Sequence, residues 1–124
     1  MAENLSQEDY LSIYRQHGAH LAQCTDDFGT ASDEHNHAMK SLGKIWRQLK
    51  QDPSIDTSFF LQLLEDENLA LRKLAAAHCL GLGIYVFKAR RTLKNLMREK
   101  NPYISGEAGF TLEAWKRNGK KLTF

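Results

Sequence analysis

An all-α domain is what this sequence predicts, and three observations carry the prediction. Apolar residues recur at steps of three and four along most of the chain, capping residues stand ahead of several of those runs, and one helix-turn-helix pattern occurs twice in the second half. About six helices in a single domain are expected, because 124 residues are enough to bury one core without metals or disulfides. A hydrophobic fraction of 42% with 26% charged residues excludes both a disordered chain and a fibre.

The first helix is expected over about residues 7–23. Ser6 is placed as its N-cap, with Asp9 at the third helical position in the manner of a capping box. Tyr10, Ile13, Tyr14 and Leu21 form its apolar set. Asp26, Asp27 and Gly29 make a turn, and Thr30 or Ser32 caps a second helix that runs to about Gln51. The second helix has the cleanest stripe in the chain: Ala31, His35, Ala38, Leu42, Ile45 and Leu49, with Trp46 beside them. Pro53 ends it by denying Asp52 a helical conformation.

These elements make up an N-terminal pair over residues 1–52, and two hairpins follow over residues 54–124. A third helix begins near Asp56 and carries Phe59, Phe60, Leu63 and Leu64 inward. After the polar turn at residues 65–68, a fourth reads LALRKLAAAHCLGLG, with Gly81 and Gly83 as its C-terminal glycines. Residues 84–87 favour strand but are too short and isolated to pair. They lead into a fifth helix ending near Lys100, with Ala89, Leu93, Leu96 and Met97 inward. A sixth is expected from about Ser105 to Arg117, burying Trp115 and either Phe110 or Leu112, and Gly119 stops it.

A shift of 33 residues lays the second hairpin on the first. Phe60 falls on Leu93, Leu63 on Leu96, Leu64 on Met97, Leu71 on Ile104, Ala75 on Ala108, Cys79 on Leu112 and Leu82 on Trp115. Helical periodicity alone produces some of these matches. The coincidence of Asn68 with Asn101, each placed to cap the helix that follows, is more specific. The first copy, LLEDENLALRKLAAAHCL, resembles a HEAT repeat through Asp66, Leu71, Arg72, Ala75, Ala76 and Leu80. The second lacks an arginine after Ile104 and fits a capping unit. The tail GFTLEAW is similar to the C-terminal end of a family of small bacterial HEAT-like domains through Thr111, Leu112 and Trp115, although Glu113 stands where a base is more usual.

The resemblance implies a short α-solenoid whose employment is to bind another protein. Some stand-alone bacterial proteins of this kind serve as immunity proteins that bind and neutralise a cognate toxin, and the resemblance implies that role here. No enzyme activity and no cofactor are expected, since no nucleophile elbow, phosphate loop or HExxH motif is present. Asp26 with Asp27, and the acids at 65–67, read as turn and cap residues rather than paired catalytic carboxylates. The opening MAENLSQEDY carries neither a basic nor an apolar leader, and no run is long enough to span a bilayer. A cytoplasmic protein without membrane contact is expected.

Charge divides unevenly. Residues 1–34 hold seven acids against the single base Arg15, while residues 84–124 hold ten bases against three acids. Within the basic half, KARRTLKNLMREK places Lys88, Arg91 and Arg98 on one side of a helix, with Arg90 and Lys94 next to them. These five are the expected partner-binding face. Nucleic acid is the alternative partner, disfavoured because no aromatic is interleaved for stacking. His17, His20 and Cys24 share one face of the first helix and are the candidate metal ligands, with His35 and His37 at the start of the next helix. The absence of a dense ligand motif argues against a bound metal there.

Overall fold

In the computed structural model, residues 5–21 and 33–124 are described. Among them lie six helices and no strand: α1 Gln7–Leu21, α2 Asp33–Gln51, α3 Phe59–Leu63, α4 Leu69–Leu82, α5 Val86–Leu96 and α6 Pro102–Arg117. The expected last turn of the first helix, Cys24, the turn at Asp26, Asp27 and Gly29, the caps Thr30 and Ser32, and Ala31 lie outside the described residues.

α4 is the organising element and packs against every other helix. Its sequence explains why. Leu71 and all positions from Leu74 to Gly81 are buried, so the helix is apolar around most of its circumference, as a helix enclosed on several sides must be. Ala75, Ala76 and Ala77 keep it slim enough for close approach. Gly18 of α1 lies against Leu71, where an added methyl would come within 2.9 Å of the leucine. Tyr10, Tyr14, Phe59 and Phe60 form an aromatic cluster where α1 meets α3, with Tyr10 and Phe59 stacked at 4.7 Å.

The ends of the helices follow the expected chemistry in most places. Ser6 Oγ accepts from the Asp9 N–H at 3.1 Å and Asp9 Oδ2 accepts from the Ser6 N–H at 2.9 Å, the reciprocal bonds of a capping box. The Ser6 N–H, and after it the Ser6 hydroxyl, hold the Asp9 carboxyl below its ordinary range. α3 spans only five residues, shorter than the expected start at Asp56. Its own Ser58 makes no side-chain cap bond; instead Gln7 of α1 accepts from the Phe59 N–H at 2.7 Å.

α4 and α6 begin alike. Asn68 (φ −73°, ψ 108°) accepts from the N–H groups of Ala70 and Leu71, and Asn101 (φ −69°, ψ 114°) accepts from that of Tyr103. Thus α6 starts at Pro102 rather than near Ser105, because proline at the first helical position needs no N–H and has the right φ. Of the two candidates on α6, Leu112 is buried and Phe110 points outward. Met97 is also half-exposed rather than inward, since α5 ends at Leu96 and Met97 serves as its C-cap.

Gly83 terminates α4 in the left-handed region at φ 74°. Gly81, expected to share that task, lies within the helix. It makes room for Trp46, whose Cζ2 would be 2.9 Å from an added Cβ. The two halves of the hairpin pattern are also unequal in three dimensions. α3 packs on α1 and α4, and among the described residues its backbone makes no close approach to α5.

Candidate functional site

α5 carries the basic face. Its start is conformational rather than capped: Gly83 and Tyr85 both have positive φ, 74° and 46°, and Tyr85 makes no side-chain cap bond. Ala89, Leu93 and Leu96 are buried, spaced to lie along one line of the helix. At about 100° per residue, the positions opposite that line are Phe87, Arg91, Lys94 and, in the turn just beyond, Arg98. All four are exposed, Phe87 at 71%, and the Arg91 guanidinium lies over the Phe87 ring at 5.1 Å.

The other two basic residues occupy the flanks of this ridge. Lys88 faces a shallow groove shared with Leu64, Glu65, Arg72, Arg91 and Asn95. Arg90 is half-buried on the side toward α6, where its guanidinium covers the Trp115 ring at 5.5 Å. The five candidates are therefore not equivalent. Arg91, Lys94 and Arg98 form the ridge, Lys88 borders it, and Arg90 is engaged in packing α6.

Phe87 is the residue that sequence reading missed. Grouped with the apolar lead-in at 84–87, it has no periodic signal of its own, and only the start of α5 at Val86 fixes its direction. The structure thus supplies the aromatic among the bases whose absence had counted against nucleic acid. Phe110 is exposed to the same 71%, on the side of α6 opposite Ala108, Leu112 and Trp115.

A second concavity, about 340 Å³, lies among the end of α1, α2, α4 and α6. Leu21, His35, Met39, Tyr103 and Ile104 line it, and an ion pair between Lys73 and Glu107 crosses its wall. Burial, and then the charge of Lys73, lower the basicity of His35, while a bond to the Leu21 carbonyl opposes them. The acids of the turn at 65–67 are partly committed: Asp66 accepts from Arg15 Nε at 3.1 Å and from the Asn68 N–H at 2.9 Å.

Of the candidate metal ligands, His17 and His20 lie on α1, and Cys24 is outside the described residues. Among the described residues, no group of three or more histidine, cysteine, aspartate or glutamate side chains is arranged to hold a metal ion. Cys79 is fully buried and its thiol is pushed far up by desolvation, which makes it an unreactive core residue. Also among the described residues, no helix is long and apolar enough to cross a membrane. Comparison of the chain with protein-family models, with curated proteins and with solved structures gave no match.

Proposed function

We propose that this protein is a binding module that captures an acidic surface of another protein through the ridge of α5. The observation that supports the reading is the composition of that ridge. One exposed phenylalanine stands in line with three bases, directly opposite the buried face of the helix. Aromatic and arginine side chains are the groups most often found to anchor protein interfaces, and the arginine over Phe87 holds both in a shared arrangement. A basic ridge also steers an acidic partner toward the right face before contact.

The resemblance of the second half to small bacterial HEAT-like domains gives the proposal its sharper form, an immunity protein acting on a cognate toxin. Binding of the purified chain to the product of the adjacent reading frame, followed by surface plasmon resonance, tests both levels. The expected result is tight binding that R91E/K94E slows by about tenfold or more in association rate, with folding unchanged. Wild-type association by the charge-reversed variant rules out this docking face.

Phe87 favours nucleic acid as the second reading, since an exposed ring beside arginine can stack on a base. Fluorescence anisotropy with a single-stranded oligonucleotide at low salt is the check. Binding that weakens with salt and drops on F87A supports that reading, and a flat titration removes it.

A further inference from the structure

α1 and α2 pack against each other, and across their seam the rings of His17 and His37 stand 5.9 Å apart, tilted by 58°. The two residues come from different helices and are 20 positions apart in sequence, so tertiary packing brings them together. The separation has a chemical meaning. An imidazole nitrogen binds zinc at about 2.0–2.1 Å, which places the centres of two rings sharing one ion roughly 5–6 Å apart.

We propose that His17 and His37 together bind a borderline divalent cation of the zinc, nickel or copper class, one nitrogen from each ring, with water completing the coordination shell. Two nitrogen donors select this class over magnesium or calcium, which require oxygen ligands. The pairing differs from the one along a single helix that spacing suggested: His37 of α2, not a second group on α1, is the partner of His17. The bound ion clamps α1 to α2. Because it binds only where the two helices are docked, it stabilises the folded chain by linkage.

The test is a titration of chelator-treated protein with zinc chloride, read by thermal unfolding and by calorimetry. At tenfold excess over the dissociation constant the wild type should unfold roughly 3–6 °C higher, and EDTA should reverse the rise. H17Q and H37Q should each weaken binding by about tenfold or more, while H20Q should bind as the wild type does. No zinc-dependent rise in the wild type, or wild-type affinity in H37Q, overturns the proposal. Should a variant fail to fold, the histidine ring proton resonances of the wild type decide instead. Zinc must perturb those of His17 and His37, and perturbation of neither overturns the site.

Discussion

Tyr14 Oη and His78 Nδ1 share a hydrogen bond of 2.7 Å at the centre of the domain, joining α1 to α4 across 64 positions of sequence. His78 is 1% exposed. Trp46 and Phe124 pack beside the ring and against each other, and the Trp46 indole N–H donates to the His78 carbonyl at 3.1 Å. Burial alone pushes the imidazole down to about 3. It is therefore neutral in the folded protein at any ordinary pH.

Acid should accordingly unfold this protein earlier than its carboxylates require. Above pH 6.5 neither the folded nor the unfolded chain protonates the ring, and its contribution to stability is complete. Between pH 6.5 and about 3 only the unfolded chain takes up the proton, so this group costs about 1.4 kcal/mol of stability per pH unit of acidification. Urea denaturation at pH 7, 5.5 and 4.5 measures the slope. The same series on H78N should lose the part due to this residue.

Tyr14→Phe removes the partner but leaves the ring in place. The buried nitrogen then has no replacement for the phenol, and a loss of about 1–3 kcal/mol is expected in chemical denaturation.

The two asparagine caps provide a matched comparison. Asn101→Ala removes one cap bond at the start of α6 and should cost about 1 kcal/mol. Asn68→Ala removes the cap of α4 and also the Asn68 Nδ2 donation to the Gly18 carbonyl at 2.8 Å, so about 2 kcal/mol is expected. Equal losses in the two variants would show that the link to α1 contributes nothing.

Glycines 81 and 106 should respond in opposite directions to alanine. An added methyl at Gly81 meets the Trp46 ring at 2.9 Å and the Leu122 carbonyl at 3.0 Å, and a loss of about 1–3 kcal/mol follows from overpacking. At Gly106, within α6, nothing lies within 4 Å of the new methyl. G106A should therefore gain about 0.5–1 kcal/mol from helix propensity. Thermal melts of the two variants give the signs directly.

What could be read in the sequence was local. Ser6 with Asp9, Asn68, Asn101 and Gly83 act within three or four residues of their own positions, and each does in the structure what its spacing implied. Features set by distant packing were not readable. Gly81 looks like a helix stop until Trp46, from another helix, is seen to need its space. Gln7 gives no sign that it caps α3. The same holds at the candidate sites. The ridge bases were found from helical spacing, but Arg90 could not be separated from them without Trp115. His37 could not be joined to His17 without the packing of α1 on α2.

The basic ridge also governs how the protein meets copies of itself. The outer face of α5 is largely charged, and an apolar face there would invite self-association. Arg91, Lys94 and Arg98 put like charge on that exposed face, so two copies brought together through it repel each other. Salt screens charges beyond about 8–10 Å, so it weakens this repulsion between identical chains. High ionic strength is therefore the condition in which association between copies of the chain should first be sought.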